Sequence, residues 1–128
     1  MDIKMGAIVL DSDNSEALSD FYSSLLGWEK IRYDEEWIIV KSEKDEGTPL
    51  VFQQAEHYLR PVWPAEKDSQ QQMLHLDFYV DEVAPAVEYA LSLGAALSPV
   101  QLVDYWRVLL DPAGHPFCIL PNKPPDGN

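Results

Sequence analysis

The sequence predicts an α+β fold made by duplicating a strand–helix–strands unit. Asp20-Phe21-Tyr22-Ser23-Ser24-Leu25-Leu26-Gly27 is echoed about 67 residues later by Glu88-Tyr89-Ala90-Leu91-Ser92-Leu93-Gly94. Each copy follows an apolar strand-like run and a polar turn, Val9-Leu10-Asp11-Ser12-Asp13-Asn14 in one half and Phe78-Tyr79-Val80-Asp81-Glu82 in the other. Each leads into more strand-like sequence, which makes about eight strands and two helices. Helices covering one face of a sheet leave the other face to curve around a cavity shared by the halves.

Met5 to Leu10 reads as the first strand, with Ile8 and Leu10 on one face and Ala7 and Val9 on the other. Asp13 or Asn14 caps the next helix, and Asp13 has Glu16 at capping-box spacing. Leu18, Phe21, Tyr22, Leu25 and Leu26 form its apolar stripe, and Gly27 ends it. Strands follow at Trp28 to Tyr33, Glu36 to Ser42 and Thr48 to Gln53. Asp34-Glu35 and the charged Glu43 to Gly47 segment supply the turns, and the latter reads as solvated charge.

His57 to Gln72, rich in Pro, Gln and charge, reads as a stiff extended linker. Met73 to Val80 opens the second unit, and Asp81 is expected to cap a helix whose Val83, Val87, Ala90 and Leu91 face inward up to Gly94. The remaining strands are Leu97 to Val100, Asp104 to Leu110 and Pro116 to Leu120, with a tight Asp111-Pro112-Ala113-Gly114 turn before the last. One domain is expected over residues 1–128: a first module to about 56, the linker at 57–72, a second module over 73–121, and a frayed tail at 122–128.

Composition narrows the function classes. Hydrophobic residues form 46% of the chain, which excludes wholesale disorder. A net charge of −13 argues against nucleic acid and anionic membranes as partners, because both must be met by Lys and Arg. No apolar run reaches the length of a membrane span, and no basic-then-apolar leader opens the chain. Cys118 is alone, so no disulfide forms within one copy, and a cytoplasmic location is expected.

Strand alternation projects Leu74, Leu76, Phe78, Phe117 and Ile119 toward the helices and His75, Asp77, Tyr79, Pro116, Cys118 and Leu120 toward the groove. An imidazole at His75 serves as base, metal ligand or ligand donor, against the commoner reading of a hydrogen-bonded structural histidine. Asp77 lies on the same face, as a second polar contact or as an internal ion-pair partner. Cys118 is either half of a thiol–imidazole or soft-metal pair with His75, or a small buried hydrophobe. His115 orients its turn, and His57 is solvated in the linker. Tyr33, Trp37, Trp63, Tyr105 and Trp106 are core or cavity wall, which suits a flat organic ligand. Arg107 answers a ligand carboxylate or pairs with a surface acid. None of HExxH, CxxC, GxGxxG, GxxxxGK[ST] or GxSxG occurs.

The repeat, the Ala17-Leu18-Ser19-Asp20-Phe21-Tyr22 to Leu26-Gly27-Trp28 run, His75-Leu76-Asp77 and Asp111-Pro112-Ala113-Gly114-His115-Pro116-Phe117-Cys118 together resemble the glyoxalase-like, bleomycin-resistance-like branch of the vicinal oxygen chelate superfamily. The resemblance spans almost the whole chain. It implies two tandem βαβββ modules forming a curved, incomplete eight-stranded barrel around a cavity. Its metal enzymes take one His or equivalent and one Glu from each module. Those positions fall here on Ala7, near Phe52 or Gln53, on His75 and on Cys118, so one ligand is retained and one is replaced by a thiol.

The resulting expectation is a metal-independent small-molecule binding protein with no cofactor. Its ligand is a small organic molecule, cationic or aromatic, met by His75, Asp77, Tyr79, Cys118, Trp37, Trp106 and Arg107. The alternative is a lyase, isomerase or dioxygenase that uses His75 as general base or a divalent metal on a non-standard site containing His75 and Cys118. A homodimer is expected in either case, because open strand edges invite a partner copy.

Overall fold

The structure, a computed structural model, describes residues 1–32, 34 and 36–122. The chain divides into two compact units, Met1–Tyr58 and Leu59–Asn128. Each is a βαβββ module with one four-stranded mixed sheet, which is the duplicated α+β architecture predicted above.

In the first unit, β1 (Ile8–Ser12) leads through α1 (Ser15–Leu26) to β2 (Glu29–Arg32), β3 (Trp37–Lys41) and β4 (Leu50–Gln54). The sheet order is β1-β4-β3-β2, with β1 parallel to β4 and the other pairs antiparallel. Register puts Leu10, Phe52 and Ile38 in one row and Ile8, Leu50 and Val40 in the next, both on the face that α1 covers. Leu18, Phe21 and Tyr22 of α1 are buried there, and Tyr22 stacks on Phe52 at 5.8 Å between ring centroids. Edge strand β2 carries Lys30 and Arg32, cross-strand from Val40 and Ile38, and these reach Glu16 and Asp20 of α1 instead of adding to the core. Exposed ion pairs of this kind contribute little to stability.

Local chemistry sets the ends of α1. Asn14 Oδ1 accepts from Ala17 N at 3.0 Å, so Asn14 rather than Asp13 is the cap. Gly27 closes the helix at φ 65°, a left-handed conformation that glycine adopts without a Cβ penalty. The first strand starts three residues later than expected, at Ile8 rather than Met5. The register with β4 explains the shift, since Ile8 is the first residue with a partner, Leu50.

The second unit repeats the plan with β5 (Leu76–Val80), α2 (Val83–Ser92), β6 (Ala96–Leu97), β7 (Arg107–Leu110) and β8 (Pro116–Pro121), in sheet order β5-β8-β7-β6. Again the first and last strands are parallel. Leu76, Phe117 and Leu109 form one row, and Phe78 and Ile119 belong to the next. Phe78 meets Phe117 edge-on at 5.8 Å. Helix α2 packs on β8 and buries only Ala90 fully.

Several expectations change in this unit. Asp81 does not cap α2, whose N-cap is Glu82 without a side-chain bond; the Asp81 carboxylate instead accepts from Asn122 Nδ2 at 2.7 Å. Leu91 and Leu74 are exposed, because Leu91 turns off the single stripe that meets β8 and Leu74 precedes the paired residues of β5. The strands expected at Leu97 to Val100 and Asp104 to Leu110 shrink to Ala96–Leu97 and Arg107–Leu110. Gln101 supplies the reason: its side chain accepts from Val108 N at 2.9 Å, taking the donor a longer strand would use, and its amide shares Val108 O with Ser98 N. Pro121 closes β8, and Asn122, expected to open the frayed tail, is held by its N donating to Val80 O at 2.8 Å. Tyr33, Glu35 and the tail from 123 onward lie outside the described residues.

The turn before β8 is organised by a carboxylate. Asp111 is 1% exposed, and its Oδ1 accepts from Ala113 N and His115 N, both at 2.9 Å. Its Oδ2 meets His115 Nδ1 at 2.9 Å, so His115 orients the loop. Gly114 has φ 91°, and a Cβ there would lie 3.1 Å from Arg60 Nε. Arg60 in turn donates to Pro112 O at 2.7 Å. Replacing Asp111 with Ala strips the acceptor from two backbone N–H groups in a nearly closed turn, at a cost of about 3 kcal/mol. Urea unfolding of Asp111→Ala against the parent is expected to show that loss, with Asp111→Asn intermediate.

Candidate functional site

The face of the second sheet opposite α2 carries the chemistry. Asp77 of β5 stands directly across from Cys118 of β8, and Cys118 across from Val108 of β7. One step along the same face, Tyr79 is across from Leu120. His75 immediately precedes β5, two residues before Asp77, so strand alternation returns it to the same side.

His75 Nε2 lies 3.2 Å from Asp77 Oδ1, with the two side chains 45% and 43% exposed. Cys118 is buried at 6% exposure. One donor atom each from His75, Asp77 and Cys118 all fall within 4.8 Å of one another. Burial pushes the Cys118 thiol up to about 12, helped by the negative charge of Asp77 and by a hydrogen bond from the thiol to that carboxylate. The thiol is therefore protonated through the physiological range. Thiol–imidazole nucleophilic chemistry needs the opposite, a depressed thiol.

This cluster overturns the expectation of a chain without a cofactor. An imidazole nitrogen, a carboxylate oxygen and a sulfur converge, and that mixed soft and hard set suits zinc or a similar divalent ion. Zinc bonds of about 2.0–2.3 Å put tetrahedral ligand atoms about 3.5 Å apart. The His75–Asp77 separation already meets this, and the Cys118 thiol, within 4.8 Å of both, would release its proton to solvent on binding a metal. Asp77 was foreseen only as a polar neighbour of His75. Its place as a third donor comes from the parallel β5–β8 register, which no local pattern in the chain announces.

The other candidates separate. Tyr79 and Trp106, with Tyr105, Leu120, Pro121 and Asn122, line a cavity of about 420 Å³. Arg107 is across from Ile119, on the α2 face, and lines a different cavity of about 460 Å³ with Val83, Val87 and Glu88. Its guanidinium donates to Val103 O at 2.7 Å and Trp106 O at 3.0 Å, so it meets backbone carbonyls rather than a carboxylate. Trp37 lies in β3 of the first unit, across from Gln53. Strand parity had projected Leu120 toward the groove, as found, whereas Pro121 and Asn122 were not foreseen as cavity wall.

The first unit offers no equivalent donors at the corresponding places. Ala7 has none, Phe52 is fully buried against Tyr22, and Gln53 stands between Asp11 and Trp37. Among the described residues, His75, Asp77 and Cys118 are the group of three able to hold a metal ion. No helix among those residues is long and apolar enough to cross a membrane.

Asp77 raises the thiol, so neutralising it lowers the pH at which Cys118 ionises. In metal-free protein, iodoacetamide alkylation of Cys118 is expected to be very slow at pH 8 and to climb only toward pH 12. In Asp77→Asn that rise moves to lower pH, and an unchanged profile would remove Asp77 as the cause.

Comparison with known proteins agrees with the fold. The glyoxalase-like domain family matches residues 7–120. No curated protein matches by sequence. Among solved structures, a glyoxalase/bleomycin resistance protein/dioxygenase family enzyme from Burkholderia phytofirmans PsJN superposes with a TM-score of 0.69 at 20% identity, covering 93% of this chain and 98% of that one. A glyoxalase-related enzyme from Fulvimarina pelagi gives 0.66 at 22% identity, over 98% and 95% of the two chains. The fosfomycin resistance protein of Listeria monocytogenes gives 0.66 at 14% identity, over 94% and 91%. At these identities the superpositions speak for fold. With the family match over nearly the full length, the chain belongs to the glyoxalase-like domain family of the vicinal oxygen chelate superfamily.

Proposed function

We propose that the protein is a metal-dependent enzyme acting on a small organic molecule, with its metal held by His75, Asp77 and Cys118 of the second module. The observation that carries this reading is the convergence of three chemically different donors within 4.8 Å. Three protein ligands and an open fourth position is the pattern of catalytic rather than structural zinc. The exposed sides of His75 and Asp77 leave that position accessible, while buried Cys118 anchors the rear.

The donor set also selects among reaction classes. A thiolate with an imidazole and a carboxylate favours zinc, which has no redox chemistry, so a lyase or isomerase is favoured over a dioxygenase. Bound there, the ion supplies Lewis acidity to a substrate oxygen. In this reading His75 is a ligand rather than the free general base. Asp77 holds one oxygen toward the imidazole and neutralises part of the charge, and the Cys118 proton leaves when the site fills. A metal-independent binding role leaves the convergence of a buried thiol, a carboxylate and an imidazole without a purpose.

The reading is tested by metal analysis of untagged protein and by cobalt titration. One equivalent of metal is expected, with a thiolate-to-cobalt charge-transfer band that disappears in Cys118→Ser. His75→Ala and Asp77→Asn are each expected to weaken binding by at least about a hundredfold, more than loss of an outer partner usually costs. Protein that takes up no metal and shows no band overturns the proposal.

A further inference from the structure

Resting on that metal centre, we infer that its ligand carries a flat aromatic body, seated in the cavity formed by Tyr79, Tyr105, Trp106 and Leu120. The cavity continues the site along the same two strands. Asp77 and Cys118 are one cross-strand pair, and Tyr79 and Leu120 are the next pair on that face. Two residues along a strand is about 6.6 Å, close to the span of one substituted six-membered ring. A molecule with an oxygen donor at the metal therefore projects its body onto these side chains.

The lining states what that body is. Among the described lining residues Tyr79, Tyr105 and Trp106 are aromatic, Leu120 and Pro121 add aliphatic wall, and Asn122 is polar. No charged side chain is among these described residues, in a chain of net charge −13. A phosphate or carboxylate tail finds no cation among these described residues, whereas the faces of Tyr79, Tyr105 and Trp106 suit a ring. The Asn122 amide donates to Asp81, so one of its polar hydrogens is already spent. A volume of about 420 Å³ holds a monocyclic aromatic with short substituents and falls within the range of small-molecule sites. Tyr79 is 67% exposed beside polar metal donors, an uncovered aromatic surface that a stacked ring would shield.

The test compares chelators that share one metal-binding head. On zinc-loaded protein, benzohydroxamate is expected to bind about tenfold more tightly than acetohydroxamate, the gain coming from ring stacking and burial. Trp106→Ala and the better-exposed Tyr79→Ala should each bring that ratio down toward one. Equal affinities in the parent, a ratio unchanged in both variants, or tighter binding of a trimethylammonium-bearing hydroxamate overturns the inference and leaves the metal reading standing. Should the protein take up no zinc, the metal reading falls, and the cavity is read by tryptophan fluorescence of metal-free protein with benzyl alcohol against ethanol. Saturable quenching by benzyl alcohol alone, lost in Trp106→Ala, retains the aromatic site, whereas no response overturns it too.

Discussion

The parallel pairing of the first and last strands within each module is the constraint on which the rest depends. A parallel ladder is evenly spaced, so one register decides every cross-strand neighbour along its length. In the second module that register puts Asp77 against Cys118 and Tyr79 against Leu120. A slip of one residue would turn Cys118 under α2 and bring Phe117 or Ile119 to the open face. The buried row of Leu76, Phe117 and Leu109 opposes such a slip, because it would expose two of the largest apolar side chains of the module. Core packing on one face therefore holds the donors together on the other.

The same plan is used differently in the two halves. In the first module, the face opposite α1 carries Val9, Val51 and Ile39 in one row and Asp11, Gln53 and Trp37 in the next. A single carboxylate without an imidazole or thiol beside it does not make a metal site. In the second module the corresponding strands hold a carboxylate across from a thiol, with an imidazole one step before. A protonated thiol beside a carboxylate is a tolerable buried arrangement, since the proton makes the hydrogen bond and no second charge enters the interior. In the proposed metal centre, a divalent ion would replace that proton with a stronger partner for all three groups.

Elements with strong local signals were legible in the chain. The α1 stripe of Leu18, Phe21 and Tyr22, the Gly27 stop and the Asp111–Gly114 turn each rest on interactions within a few residues, and each stands where the pattern puts it. Parity along β5 and β8 likewise separated His75, Asp77, Tyr79 and Cys118 from Leu76, Phe78 and Phe117. Failures came where a distant group intervened. Asp81 was drawn away from α2 by Asn122, 41 residues on, and the Gln101 side chain took the backbone donor of Val108.

By itself, the sequence determined the duplicated strand–helix–strands plan, the ends of α1 and the two faces of the core strands, because periodicity and capping are read within one or two turns of chain. The family resemblance of the sequence implied in addition that Cys118 stands where the metal enzymes carry the carboxylate of the last strand. Only the tertiary structure decided that Asp77, 41 residues earlier, completes a donor set with that thiol, and that Arg107 belongs to the other face. The physical reason is that strand register is a property of two strands together. Neither strand's own sequence states which residue of the other will lie across from it.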